Sequence, residues 1–179
     1  AHDDLYESRL YCEAIERLTG PGRIICSSAG NEAYKGTYMA KPQGRERAGA
    51  FIATGSNQAF YTIASAEPPT VELTFYDDSQ GKRETVAYDL TRLREYPDSV
   101  ELDTINTPTS RYITAMVMYP SCYDDGRYAT ELLVMAPDEK SLPDAISIEI
   151  VGRENDIEVY ASGGWFRTDS HDTTLSSFT

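Results

Sequence analysis

Two acidic segments have residue types that can bind metal ions. Asp169, His171 and Asp172 stand close together near the end of the sequence, and carboxylate and imidazole groups are common metal ligands. The run Asp124-Asp125-Gly126 could form part of a calcium loop. Asp-Gly between two apolar runs is also the usual composition of a hairpin turn, which explains this run without a metal. We therefore expect no metal site and no cofactor.

The spacing of cysteine, histidine and acidic residues in the sequence gives little support for a nucleophilic site or for a pair of catalytic carboxylates. Cys26 lies in a short apolar run that is typical of a buried strand, and no histidine stands near it in the sequence. Asp77, Asp78 and Glu84 could supply the two carboxylates of a glycosidase. Nothing separates them from an ordinary acidic surface, so none of these residues is predicted to be catalytic.

Aromatic residues suggest a third kind of site. The chain has 13 tyrosines, and Tyr123, Tyr128 and Trp165 could form a platform on which a sugar ring stacks. Tyrosine is also a good strand former, so the same residues fit a sheet that has no ligand. A stand-alone β-sandwich module that binds carbohydrate is therefore the alternative function.

Asn31 stands in the stretch GRIICSSAGNEAYKG, residues 22–36, where a short apolar run passes through two serines into Ala-Gly-Asn. Asparagine and glycine both tolerate the left-handed backbone conformation. On spacing alone, a loop turn is the simplest interpretation of this stretch.

Charge and composition exclude several classes of partner. The 179 residues include 29 acidic and 16 basic side chains, which gives a net charge of -13. Nucleic acids and anionic membrane surfaces both require a basic patch, so neither is an expected partner. No apolar run approaches the roughly 20 residues of a membrane-spanning helix. The three cysteines are too few and too scattered for a disulfide scaffold.

The first part of the chain has the pattern of an α/β unit. Apolar residues recur at spacings of three and four over residues 5–18, which predicts an amphipathic helix. Gly20-Pro21-Gly22 should end it. Residues 23–28 then read as a buried strand, because their apolar residues are consecutive and do not alternate.

The middle of the chain reads as one strand after another. Residues 35–49 are polar and predict a linker or loop. From about Ala50 onward, nine short segments are rich in β-branched and aromatic residues, and turn signals separate them. The segment TRLREY, residues 91–96, could form one helical turn between strands. The predicted fold class is mainly β, a jelly-roll-like β-sandwich with a short helix-strand piece in front.

The two ends together resemble the subtilisin-like serine peptidases, the subtilases. The resemblance rests on an amphipathic helix, then the buried strand Ile24-Ile25-Cys26-Ser27-Ser28, then Ala29-Gly30-Asn31 and an acidic residue. It includes the segment GGWFRTDSHDTTLSSFT, which is similar to the point where some bacterial subtilases return from a jelly-roll insertion to the protease core.

This resemblance implies a division of the chain and a role for one residue. Residues 1–34 would be a helix-strand piece of the catalytic core, residues 35–162 a β-sandwich insertion, and residues 163–179 the return to the core. Asn31 would be the oxyanion-hole residue of a serine endopeptidase. A rigid side-chain amide at that place stabilises the negative charge that develops on the attacked carbonyl oxygen.

The rest of the catalytic machinery that the resemblance implies is missing from this sequence. The only histidines, His2 and His171, lack the glycine-rich setting of an HGTHVAG-like segment, and no GTSxAxP-like segment occurs. We therefore expect a slice of a larger protease that is inactive alone. The full-length parent would be secreted or in the cell envelope and would cleave a peptide or protein substrate. The slice could bury its exposed core fragment by self-association.

Overall fold

The structure is a computed structural model, and it describes residues 13–24, 36–77, 82–96, 99–121, 126–142, 146–152 and 154–167. Helix α1 covers residues 13–18, and helix α2 covers Thr91–Glu95. The strands in these ranges are β1 (Tyr38–Lys41), β2 (Arg47–Ala53), β3 (Gln58–Ser65), β4 (Thr70–Asp77), β5 (Lys82–Asp89), β6 (Val100–Asn106), β7 (Arg111–Pro120), β8 (Tyr128–Met135), β9 (Ile146–Val151), β10 (Ile157–Ala161) and β11 (Trp165–Arg167).

The strands form two antiparallel sheets. One has six strands in the order β1-β10-β3-β8-β7-β6, and the other has five in the order β11-β2-β9-β4-β5. The buried side chains of both sheets belong to one hydrophobic core. The described part of the chain is therefore a β-sandwich, as the pattern of short strands predicts.

The nine predicted strands are confirmed, and β3 shows the alternation of buried and less buried residues that is typical of strands. Along β3, every second residue is buried, and Tyr61 and Ile63 are fully inaccessible to solvent. Along β9, the inward positions are isoleucines, and Ile148 and Ile150 are completely buried. Each such side chain contributes about 1.5–3 kcal/mol by burial, so a shift of register by one residue would expose the set. The predicted helical turn over residues 91–96 is also confirmed, by α2.

The prediction that residues 35–49 form a linker or loop is wrong over residues 38–41 and 47–49. Residues 38–41 form β1, which pairs with β10, and β2 already begins at residue 47. The misleading residue in β1 is Lys41, which reads as a solvent-facing side chain but is only 1% exposed. Its ammonium donates hydrogen bonds to the backbone carbonyls of Asn155 at 2.6 Å and Arg45 at 3.1 Å. Burial lowers the pKa of Lys41, and these carbonyl acceptors replace part of its lost hydration.

A second strand lies where the sequence predicts a return segment. Residues 165–167 form β11, which pairs with β2 at the edge of the five-stranded sheet. Phe166 is 3% exposed and belongs to the hydrophobic core. The sandwich therefore includes these three residues.

The described part of the front segment agrees with the predicted helix and carries exposed apolar residues. Residues 13–18 are helical, and the Thr19 hydroxyl donates a hydrogen bond to the carbonyl of Ile15 at the helix end. Leu18 is 61% exposed. The prediction of a buried strand is wrong at Ile24, which belongs to no named strand and is 86% exposed. The remaining residues of the predicted strand, 25–28, lie outside the described residues. No helix in the described ranges is long and apolar enough to cross a membrane.

Candidate functional site at the seam of the sandwich

Most of the residues with predicted chemistry lie outside the described residues. These are Cys26, Asn31, Asp78, Tyr123, Asp124, Asp125, Asp169, His171 and Asp172. The structure does describe the place where the chain that follows Asn31 joins the sandwich, and the place where the chain leaves the sandwich again. We call this place the seam and define it by Gly36, Thr37, Ala161 and Phe166.

The two ends of the sandwich meet at the seam through main-chain hydrogen bonds. The Phe166 amide donates to the Gly36 carbonyl at 2.6 Å, and the Ala161 amide donates to the Thr37 carbonyl at 2.8 Å. Gly36 and Phe166 form an antiparallel bridge outside the named strands. The sandwich therefore begins and ends at one point, although β1 belongs to one sheet and β11 to the other.

A pair of glycines carries the chain from one sheet to the other at the seam. The Gly163 amide approaches the Phe60 carbonyl of β3 at 3.4 Å, and the Gly163 carbonyl accepts a hydrogen bond from the Thr54 hydroxyl at 3.1 Å. A Cβ atom on Gly163 would lie 2.7 Å from the Phe60 ring, and one on Gly164 would lie 2.8 Å from the Ala53 carbonyl oxygen. The backbone passes so close to both sheets that neither position has room for a side chain.

We expect that Gly164→Ala lowers the free energy of unfolding by about 1–3 kcal/mol, because the added methyl meets a backbone atom that cannot move aside cheaply. Urea denaturation of the 179-residue chain measures this loss. Gly55→Ala is the matched control, because a Cβ atom there would have no neighbour within 4 Å. Equal stability of the two variants would contradict the close packing at the seam.

An aromatic residue with a buried hydroxyl lies beneath the glycine pair. The Tyr61 ring packs against Phe166 with 5.2 Å between the ring centroids. Among the described residues, the Tyr61 hydroxyl has no hydrogen-bond partner, and burial raises its pKa. A Cβ atom on Gly164 would also stand 3.0 Å from this oxygen. Tyr61 therefore supports the seam by packing.

Next to the seam, a polar cluster fixes β1 on the outer surface of the six-stranded sheet. Glu158 forms an ion pair with Arg127 and accepts a hydrogen bond from the Tyr38 hydroxyl at 3.0 Å. The hydrogen bond from Arg127 lowers the pKa of Glu158, and hydrogen bonds from Tyr38 and Tyr160 lower it further. The two tyrosine rings lie 5.3 Å apart between centroids. The cluster adds side-chain contacts on the outer face of β1, in addition to the pairing of this strand with β10 and the burial of Met39 in the core.

The structure does not bring the described members of the predicted sugar platform together. Tyr128 belongs to β8 of the six-stranded sheet, where the Arg94 guanidinium lies 5.4 Å from the centroid of its ring. Trp165 belongs to β11 of the five-stranded sheet. Tyr123 lies outside the described residues.

The structure describes little of the predicted metal and carboxylate sites. Glu84 is an exposed residue of β5, whereas Asp78 is not described. Within the described ranges, no group of three or more histidine, cysteine, aspartate and glutamate residues could hold a metal ion.

The insertion that the resemblance implies predicts that the two ends of the sandwich lie close together, with Gly36 near Gly163, but it does not identify Phe166 as the bridge partner of Gly36. The consecutive glycines Gly163 and Gly164 were a usable signal, because paired glycines often mark a close approach of backbone to backbone. The bridge between Gly36 and Phe166 had no such signal, since it joins residues that are 130 positions apart.

Comparisons with known proteins give a likeness of fold and no family. No family model matches the chain. No curated protein matches it. Among solved structures, the chain is similar to the CspB protease of Clostridium perfringens, with a TM-score of 0.50 and 10% sequence identity. The match covers 79% of this chain and 29% of the CspB chain, so this chain spans less than a third of that protein. At this identity the likeness shows a shared fold, and the fold occurs within a protease.

Proposed function

We propose that this chain is an internal section of a subtilisin-like serine endopeptidase, in which a β-sandwich is inserted directly after the oxyanion-hole segment. The observation that carries the proposal is the seam. The two ends of the sandwich meet at the 2.6 Å hydrogen bond between Phe166 and Gly36, as an inserted domain requires. The Ala29-Gly30-Asn31 segment precedes Gly36 by only a few residues.

The proposed chemistry is stabilisation of the transition state of peptide hydrolysis. Attack on the peptide carbonyl places negative charge on its oxygen, and the Asn31 side-chain amide would donate a hydrogen bond to that oxygen. The small residues Ser28, Ala29 and Gly30 would allow the substrate backbone to approach closely. The parent would supply the aspartate, histidine and serine of the triad from segments outside this chain.

Two features support a protease as the source. The chain's fold occurs within the CspB protease, where the matched part is a minor share of that protein. The front segment also has exposed apolar residues, Leu18 and Ile24, which a larger protein core would cover.

Excision of the sandwich at the seam tests the proposal. In the full-length parent, Thr37 to Trp165 are replaced by the dipeptide Asn-Gly, so that Gly36 and Phe166 are joined by a two-residue hairpin turn. Opposed residues of an antiparallel pair lie roughly 5 Å apart, a span that such a turn closes. We expect the excised enzyme to fold and to cleave a short peptide substrate.

The control for the excision is the same deletion combined with Asn31→Ala. We expect this substitution to lower peptide cleavage in the excised enzyme by the same factor as in the parent. In a second variant, the Asn-Gly dipeptide joins Gly36 to Met135, and the residues between them are deleted. Gly36 and Met135 are not bridged in the structure, so this variant should not fold. An excised enzyme that cleaves peptide no faster than this second variant would overturn the insertion model.

A further inference from the structure

Strand β6 is a free edge of the six-stranded sheet in the part of the chain that the structure describes. Residues Val100–Asn106 pair with β7 on one side, and no described strand pairs with them on the other. An edge strand presents unpaired amide and carbonyl groups, so it is a template for another extended segment.

The hydrogen-bonding pattern shows which residues of β6 point their backbone groups away from β7. The Thr107 amide donates to the Ser110 carbonyl at 2.9 Å where the β6–β7 hairpin closes. In an antiparallel ladder, every second pair exchanges hydrogen bonds, so the pairs of residues 105, 103 and 101 with β7 are also bonded. The backbone groups of Val100, Leu102, Thr104 and Asn106 therefore point to the free side. The Asp103 carboxylate accepts a hydrogen bond from the Thr104 amide at 2.7 Å, which leaves the amides of Val100, Leu102 and Asn106 for another strand.

The side chains beside these backbone groups are apolar and exposed. Val100 is 62% exposed and Leu102 is 69% exposed, although both lie in a regular strand. A cleft of about 360 Å³ opens beside the start of β6. It is lined by Arg92, Leu93, Tyr96, Ser99, Val100 and Glu101. The edge thus offers backbone groups, an apolar strip and a recess for a side chain.

Charge decides what kind of segment the edge can accept. Glu101 and Asp103 occupy the alternate positions of β6, opposite in direction to Val100 and Leu102. If two copies of β6 paired antiparallel over the whole strand, Asp103 would face its own copy, and like charges directly opposite each other are destabilising. The chain as a whole has a net charge of -13, so a second copy is repelled and a basic segment is attracted.

We propose that the β6 edge binds an extended segment of a partner protein in which apolar residues alternate with lysine or arginine. The segment would add a seventh strand to the sheet. Its apolar side chains would cover Val100 and Leu102, and its basic side chains would face Glu101 and Asp103. This proposal does not depend on the protease proposal, because it uses only described residues of the sandwich.

Binding of synthetic peptides to the 179-residue chain tests the proposal. An eight-residue peptide of alternating valine and lysine is compared by calorimetry with an alternating valine and glutamate peptide and with a valine-lysine peptide that is N-methylated along one edge. We expect the first to bind at least about tenfold more tightly than either of the others, because the second is repelled and the third lacks the donors for the ladder. Amide hydrogen exchange at Val100 and Leu102 should slow when the first peptide is bound.

Two charge-matched variants separate the edge from general attraction to an acidic protein. Glu101→Lys changes the proposed site, and Glu84→Lys makes the same change in net charge on the exposed β5 of the other sheet. We expect Glu101→Lys to weaken binding about tenfold and Glu84→Lys to have an effect of less than about twofold. Circular dichroism checks that both variants fold, and Leu102→Lys, at an exposed position, should also weaken binding.

Three results would overturn the proposal. The first is equal weakening by the two charge variants, and the second is equal affinity for the N-methylated peptide. The third is a concentration-dependent dimer that Leu102→Lys abolishes, because a second copy would then occupy the edge.

Discussion

Replacing Asn31 by alanine in the full-length parent should lower kcat about a hundred- to a thousand-fold and leave KM nearly unchanged. Loss of one oxyanion-hole donor costs roughly 2.7–4 kcal/mol of transition-state stabilisation in subtilisin, and the role proposed for Asn31 implies a loss of this size. The effect falls on kcat because the charge on the carbonyl oxygen develops only as the bond is attacked. Steady-state kinetics with a chromogenic peptide measure both constants.

The matched control for Asn31→Ala is Ser27→Ala, a small change in the same stretch at a residue with no proposed contact to the substrate. It should leave kcat within about twofold of the parent, since it removes no donor from the oxyanion hole. If Asn31→Ala also stays within a few-fold of the parent, then Asn31 is a turn residue and the assignment of the oxyanion hole is wrong.

The 179-residue chain alone should hydrolyse no peptide bond. A hydroxyl nucleophile needs an adjacent base, and in this sequence the only histidines, His2 and His171, lack the setting of the subtilase base. An oxyanion hole without the nucleophile and base leaves only a residual rate, on the order of a thousand-fold over water. Denatured casein and a fluorescent peptide, each incubated with the pure chain for a day, test for cleavage.

Active subtilisin in the same assay is the positive control for this result, and heat-treated chain is the blank. Cleavage that copurifies with the chain and is blocked by a serine-directed phosphonate would contradict the prediction. It would mean that a complete catalytic site lies within residues 1–179.

Most of the sandwich could be predicted because its strands carry their own pattern. In β3 and β9 the residues that face the core are apolar at every second position, which follows from the geometry of a single strand. Such a pattern does not depend on which strand lies alongside. The alternating pattern therefore predicted where the strands lie in the sequence. It predicted neither the order of the strands in the sheets nor the free edge at β6.

The two missed strands show where local patterns fail. β1 has Lys41 at an inward position, and its burial depends on carbonyl groups such as that of Asn155, which is 114 residues away in the sequence. β11 has only three residues, too few to show alternation, and it follows the glycine pair. Both strands exist because of partners that are distant in the sequence. β1 begins directly after the seam residues Gly36 and Thr37, and β11 contains the seam residue Phe166.

The chemical role of Asn31 could be predicted from the resemblance to a family. The residues that join its segment to the sandwich could not be predicted. The Ala-Gly-Asn segment suggested a role for Asn31 only through its resemblance to a family, because the same three residues also fit a turn. The bridge between Gly36 and Phe166 is what links this segment to the sandwich as an insertion, and a hydrogen bond between such distant residues leaves no mark in either local sequence.

Covalent labelling of the full-length parent with a fluorescent serine-directed phosphonate tests whether residues 1–179 are an internal section of a serine peptidase. The labelled protein is digested, and the modified residue is located by mass spectrometry. We expect a single labelled serine that lies outside residues 1–179, with labelling slowed by Asn31→Ala. Absence of labelling in a folded parent, or a labelled serine within residues 1–179, would show that the proposed function is wrong.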